Sequence, residues 1–416
     1  MKKVGFVLFW MCNFLAIKGQ GLLVDSASYH KLPKWEASEQ GFTNTSLPSS
    51  VSYKKFTPFV GNQGQVSTCV GWAVAHGHLT TQQNLEMGIT NSYQRSWRAM
   101  DPHFVYAFIR DRTDQWCEKG TSMVDAMNVL STFGCKPRFW EPILFCNSIE
   151  VGDELVLAEA SSYKIGKWYA LRMDEPIVSV KQALVSKYIV SVGMMLTESF
   201  QNGSTVKSGK WSPQYGERII GAHAMCVIGY DDYKYGGAFQ ILNSYGTNFG
   251  EEGYLWVTYA DFAKAIGQAF IFDTRGFRNS NCLYGDCRNS ISVYKSSEGG
   301  LYEGVVENGY PAHLGQYIYP DGSMYVGGWN QGRKNGRGLL YSVSTQSYFN
   351  VTFNNDILVR SQEIQGFSGL KEENKFTAIF KTMFEIMPGT LKNEDSQEYK
   401  SFAKEYIAPI EPIQMK

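Results

Sequence analysis

The chain has 416 residues, of which 44% are hydrophobic and 19% charged, and its formal net charge is zero. That composition describes a globular chain long enough for two or three domains. A neutral balance lacks the electrostatic footprint of a nucleic-acid-binding protein, and no nucleic-acid partner is expected.

Residues 1–21 open with Lys2 and Lys3 and continue as an apolar run from Val4 to Ile17. This is the shape of a secretory signal, too short for a comfortable membrane span. Gly19 and Gly21 are the small residues expected before a cut after Gly21; an uncleaved anchor is the alternative. Met11, directly before Cys12, is not the small residue of a lipoprotein site. Cleavage would remove three lysines and no acid, leaving a charge of −3. The expected location is secreted, periplasmic or at the cell surface. Residues 22–45 are polar, with little helical periodicity.

Three stretches then carry the chemistry. Asn62-Gln63-Gly64 leads into Cys69-Val70-Gly71-Trp72-Ala73, an Ala-containing run that predicts a helix opened by Cys69. Asp101-Pro102 reads as the cap and first-turn proline of another helix, with His103 a helix-start residue. Val180 to Leu196 reads as a helix followed by an apolar strand. Gly221-Ala222-His223-Ala224 then runs into Cys226 to Asp232, a strand ending in a turn. Asn243-Ser244-Tyr245-Gly246 follows.

A sulfur nucleophile needs a base, the base needs an orienter, and the oxyanion it creates needs donors. Cys69, His223, Asn243 and Gln63 are the candidates. Each has a plainer reading as a buried inert thiol, a core histidine or a turn residue, and it is their joint occurrence that favours the catalytic one. Cys69 at a helix N-terminus beside a histidine cation is expected to be a thiolate near neutral pH. His76 and His78 lie seven and nine residues after Cys69, drift away along the helix axis, and read as structural. They form no metal-ligand spacing with Cys69, and no Gly-rich phosphate loop is present, so neither metal nor cofactor is expected.

Taken together, these stretches resemble papain-family cysteine peptidases of bacterial type, across residues 46–275. Gln63 stands six residues before Cys69, as the oxyanion glutamine does in that family. Leu47-Pro48-Ser49-Ser50-Val51, Gly120-Thr121-Ser122 and Gly250-Glu251-Glu252-Gly253-Tyr254 match it as well. The resemblance implies a two-lobed α+β catalytic domain that hydrolyses peptide bonds in protein or peptide substrates. It makes Cys69 the nucleophile, His223 the base, Asn243 its orienter and Gln63 an oxyanion donor. Val66 stands where the family often has a bridged cysteine. Trp72 comes three residues after the nucleophile rather than directly after it, and Tyr245 replaces the tryptophan that shields the His–Asn pair. Residues 22–45 read as too short for the family's inhibitory pro-segment, which leaves the restraint of activity open. Two other functions fit the same residues: a non-catalytic binding or targeting protein on a peptidase-like fold, and an amidase or transamidase using the same acyl-enzyme.

Cys282 and Cys287, five apart in a turn-rich stretch, predict a local disulfide in an oxidising compartment. Cys117, Cys135 and Cys146 could supply one more pair with one left over, and Cys226 reads as a buried free thiol. After Arg278 the chain becomes periodic. Tyr302, Tyr325 and Tyr348 are 23 apart, as are Gly309 and Gly332, and Gly315 and Gly338. Asn355 continues the Gly309–Gly332 series, since asparagine tolerates positive φ. Such a period signals stacked hairpins. Tyr325-Val326-Gly327-Gly328-Trp329 with Gly332 and Gly336-Arg337-Gly338 resembles the MORN repeat, a family credited with binding proteins or lipid surfaces. The plainer reading is that the aromatics form the hairpin core. Beyond it, Phe376, Ile379, Phe380 and Phe384 are spaced for one helix face. The expected architecture is therefore α+β: the two-lobed domain at 46–275, a small all-β hairpin-repeat module at 279–356 and a helical tail at 357–416.

Overall fold

The computed structural model describes residues 21–37, 47–90, 95–96, 99–137, 154–161, 163–201, 206, 208–274, 282–284, 287–289 and 291–364. The expected signal segment at 1–20 and the expected helices beyond 364 lie outside the described residues. Helix α1 (Ser26–Lys31) falls in the stretch whose periodicity is weak; it is started by Asp25, whose side chain accepts from the Ser28 N–H at 3.0 Å. One continuous helical segment begins at Cys69. It comprises α2 (Cys69–Gly71), a π-wound stretch (Trp72–Leu79) and α3 (Thr80–Met87). An ordinary α-helix was the expectation; wide π turns of this kind are rare and concentrate at functional sites. The helix Pro102–Ile109 starts as expected, with Asp101 as cap and proline in its first turn.

An eight-stranded sheet forms the other half of the first unit. Its strands are β1 (Ser50–Ser52), β2 (Trp168–Ala170), β3 (Val190–Thr197), β4 (Lys210–Trp211), β5 (Ile219–Asp231), β6 (Ala238–Leu242), β7 (Tyr254–Thr258) and β8 (Ile266–Phe272). The order is β2-β8-β3-β5-β6-β7-β4, with β1 added on β5, and only β4 with β7 is parallel among these pairs. The run from His223 to Tyr230 in β5 is buried throughout. A strand reads as continuously apolar when both its faces are covered. Here the π segment and α2 cover one face. A core including Val192, Leu196, Val227 and Ile241 covers the other. The helices pack a second core around Val70, Val74, Phe104, Met127 and Leu130. The active-site candidates lie where these two cores meet.

A second eight-stranded sheet is a simple meander. It comprises β9 (Cys282–Tyr284), β10 (Ile291–Lys295), β11 (Leu301–Glu307), β12 (Tyr310–Ile318), β13 (Met324–Asn330), β14 (Arg333–Ser342), β15 (Ser347–Asn354) and β16 (Ile357–Ile364). Cys282 and Cys287 are bridged at its start, and Cys69, Cys135 and Cys226 are free. Cys117 is disulfide-bonded. The recurring glycines have a steric cause. A Cβ at Gly304 or Gly315 would run into the Tyr302 side chain, and one at Gly327 or Gly338 into that of Tyr325. Each ring lies across its glycine pair.

The period then slips. The hairpin turns are Asn308-Gly309 (φ 51°, 83°), Gln331-Gly332 (47°, 81°) and Asn355-Asp356 (49°, 69°). Both residues at positive φ is the two-residue hairpin geometry that matches strand twist. Asn355 therefore corresponds to Gln331, and Asp356 occupies the glycine position. Tyr341 pairs with Tyr348, whereas one repeat earlier Ile318 pairs with Met324. The extra residue lies in the link between β14 and β15. A one-residue slip reverses every side chain that follows. Tyr348 accordingly faces away from Tyr302 and Tyr325 and packs on Tyr341, with ring centroids 4.7 Å apart. Phe349 takes its place in the aromatic stripe.

Candidate active site

Cys69 sits at the first turn of α2 and is fully buried. His223 lies on β5 and Asn243 directly after β6, so the β5–β6 pairing brings the two together. His223 Nε2 donates to Asn243 Oδ1 at 2.8 Å. Both residues are buried, and the Tyr245 ring lies over the imidazole with centroids 4.9 Å apart and planes tilted by 33°. Phe200 and Phe249 close the group around Tyr245. Tyr245 thus screens the His–Asn bond from water, as expected of the residue in place of tryptophan. His223 Nδ1 carries no hydrogen bond.

Gln63 is fixed three ways. Its backbone N–H donates to Ser244 O at 2.8 Å, its Oε1 accepts from Ser244 Oγ at 2.7 Å, and its Nε2 donates to Val66 O at 2.9 Å. Ser244 is the site residue that sequence reasoning missed. The available signal was its place beside Asn243, in a stretch read as a turn.

The expected thiolate is not the state that this arrangement favours. Burial pushes the Cys69 thiol up to about 11, against the pull of the Ala224 and Gly21 backbone N–H groups. Burial likewise lowers His223 to about 4, partly offset by Asn243. Burial thus works against the charged form of each group, the Cys69 thiolate and the His223 imidazolium alike.

Part of the cover over Cys69 is the N-terminal strap. Leu22 N–H donates to Ala222 O at 3.4 Å, Leu23 N–H to Thr121 O at 2.9 Å, and Thr121 N–H to Gly21 O at 2.7 Å. Leu22 bridges Thr121 in parallel. Its side chain is buried against Gly193, beside Met123, while Leu23 points outward. The segment Gly21–Val24 therefore runs between the residue before His223 and the helical side, over Cys69. Downstream, Tyr29 anchors it: its hydroxyl donates to Leu171 O at 2.7 Å and accepts from the Ala269 N–H at 3.1 Å. Residues 22–45 read as too short for the family's inhibitory pro-segment, yet their first residues pair with Thr121 and Ala222, and the buried Tyr29 supplies an anchor that a polar, weakly periodic stretch did not advertise.

His76 and His78, read from the sequence as structural, each take a partner within the protein. His76 Nε2 bonds Phe59 O at 2.8 Å, and its ring meets Trp72 at 4.8 Å. His78 Nδ1 bonds Ser191 Oγ at 2.7 Å and stacks on Phe272 at 3.7 Å, and burial holds it well below its ordinary range.

Residues 159–269 match a family model described as papain family cysteine protease. A protein of Acanthamoeba polyphaga mimivirus, named as an uncharacterized peptidase C1-like protein, is 24% identical over 208 residues, 48% of this chain. This chain spans 63% of that protein's length. Xylellain, a cysteine protease from Xylella fastidiosa, aligns with a TM-score of 0.50 at 22% identity, over 62% of this chain and 96% of the other. The likeness establishes a papain-like α+β fold for the first unit. The C-terminal sheet is a separate all-β element.

Proposed function

We propose, from the premise that the chain carries a papain-family cysteine peptidase domain, that it is a secreted cysteine peptidase held latent by its own N-terminal strap, of which Leu22–Val24 stay in place after a cut that follows Gly21. Once the strap leaves, Cys69 and His223 regain solvent, and the proton moves from sulfur to His223 Nδ1. The thiolate attacks the scissile carbonyl carbon, and the oxyanion is received by the Gln63 side-chain amide and the Cys69 backbone N–H. His223 returns its proton to the leaving amine as the C–N bond breaks. Water then enters, His223 takes its proton, and the thioester opens to acid and free thiol. Asn243 holds the imidazole in the tautomer that leaves Nδ1 as the proton acceptor. The observation that carries this reading is the buried His223–Asn243 bond with Nδ1 unoccupied. The bacterial affinity and the secreted location rest on the sequence. The C-terminal hairpins are read as MORN-like repeats with a protein or lipid-surface partner, supported by their aromatic rings laid over glycine pairs.

The test is labelling with an epoxide inhibitor selective for papain-like enzymes, followed by mass spectrometry of the modified peptide. Stoichiometric modification at Cys69 that disappears in His223→Ala is the expected result. A folded protein with an opened strap that takes no label would instead be the non-catalytic binding protein. Added amine capturing the acyl group in preference to water would make it a transamidase.

A further inference from the structure

The C-terminal sheet buries one apolar face against the catalytic unit. Leu301, Met324, Val326 and Leu339 on this face form one buried cluster with Ile89, and Phe59 and Met87 pack against it. These three catalytic-side residues sit at two informative places. Met87 and Ile89 end the helical segment that Cys69 begins, with Ile89 N–H closing the turn on Asn84 O at 2.8 Å. Phe59 lies four residues before Gln63.

The strip from Phe59 to Gln63 belongs to no strand or helix. Its backbone is tied at its start to Ser96 Oγ at 2.9 Å and to His76 Nε2 at 2.8 Å. At its end, Gly246 N–H reaches Gly61 O at 2.9 Å, and Gln63 N–H reaches Ser244 O at 2.8 Å. Asn84 Nδ2 donates to Phe56 O at 2.9 Å and so joins the same loop to α3. A strip outside regular structure draws part of its local stability from the buried apolar contacts of its side chains. Phe59 packs against the cluster that the C-terminal sheet forms with Ile89.

We propose that the C-terminal sheet is a positioning element for the oxyanion side of the active site. By clamping Phe59 and the end of α3, it fixes Gln63 relative to Cys69. This rests on the peptidase reading above, since it assigns Gln63 a reacting oxyanion. A donor displaced by about 1 Å can cost up to about a hundredfold in rate, so a loosened clamp is felt in chemistry before it is felt in binding.

The experiment uses the full chain with its strap opened by Leu22→Asp and, in that background, Val326→Ala and, separately, Met324→Ala, both remote from the reacting groups. Three readouts are taken: hydrogen exchange of the backbone amides of residues 57–64, kcat and KM on a peptide substrate, and alkylation of Cys69 by iodoacetamide. Alkylation displaces iodide at a saturated carbon and creates no oxyanion, so it reports the thiol without Gln63. We expect several-fold faster exchange in 57–64, kcat lower by about tenfold, and unchanged KM and alkylation rate. Unchanged exchange in 57–64 in both variants, while β13 itself loosens, overturns the proposal. So does a parallel fall in alkylation and kcat, which would mean general collapse. If the Leu22→Asp chain alkylates but turns over no peptide, the peptidase reading has failed, and the exchange readout still decides whether the sheet holds the strip.

Discussion

Ser244 and His223 show how much of the site is decided by single hydrogen bonds and single burials. Ser244→Ala removes the 2.7 Å bond that orients Gln63 Oε1 while leaving the backbone bond from Gln63 N–H intact. The expected consequence is a fall in kcat of about fivefold, the worth of about 1 kcal/mol of orientation, with KM little changed. Steady-state kinetics on one substrate checks it; a rise in KM at constant kcat would mean that Ser244 acts in binding. His223 makes a pH prediction. Its folded value is depressed from 6.5 to about 4, so the unfolded chain takes up a proton that the folded chain refuses. The stability it contributes is complete above pH 6.5 and is lost as the pH falls toward 4, by up to about 3 kcal/mol. His78 is shifted in the same direction and adds to the slope. Thermal melts across this range should therefore fall with acid in the wild type and fall less steeply in His223→Gln. Equal slopes would remove His223 from the account. Acid works against the closed state, because protonating a buried imidazole requires water to reach it.

The elements add what no single residue does. The strap is four extended residues plus an anchoring helix. Leu22→Asp places a carboxylate in the apolar site beside Gly193 and Met123 and is expected to release the strap, speeding Cys69 labelling at least tenfold. Tyr29→Phe leaves the Leu171 carbonyl and the Ala269 N–H without their hydroxyl partner and should loosen the same element by about 1–3 kcal/mol. If neither variant changes the labelling rate, the strap is not what restrains the thiol. In the second sheet, Gly338→Ala drives a methyl group into the Tyr325 ring. Overpacking of this kind costs about 1–3 kcal/mol, and a lowered melting temperature of the full chain is the readout. Replacing Gly309, around which a Cβ would meet nothing, strains only the turn's positive φ. The two substitutions therefore separate steric from conformational roles of glycine.

At the scale of the molecule, the second sheet and the end of α3 share one apolar seam around Ile89. A chain ended after Thr274 would expose Ile89, Met87 and Phe59 together, and is expected to lose about 3 kcal/mol of stability and to bind apolar dyes. An unchanged melting temperature in that shortened chain would show that the seam contributes nothing. Much of this molecule is written locally. Cys69 opening a helix, Asp101-Pro102 starting another, the Cys282–Cys287 pair and the glycine-punctuated hairpins are legible because caps, turns and side-chain period act over a few residues. Cys69, His223, Asn243 and Gln63 were legible as candidates for the same reason: each sits in a short stretch of its own. Four outcomes needed the folded chain. The strap's path depends on backbone groups of Thr121 and Ala222, which lie far from it in sequence. The burial that raises the Cys69 pKa and lowers that of His223 depends on what covers them, and desolvation leaves no mark on residue order. The slip that turns Tyr348 over is a single residue in a loop, invisible to a period until strands pair. Finally, both faces of the hairpin sheet read as apolar, and only tertiary packing decided which one meets Ile89, because a two-residue alternation marks the faces without saying which is covered.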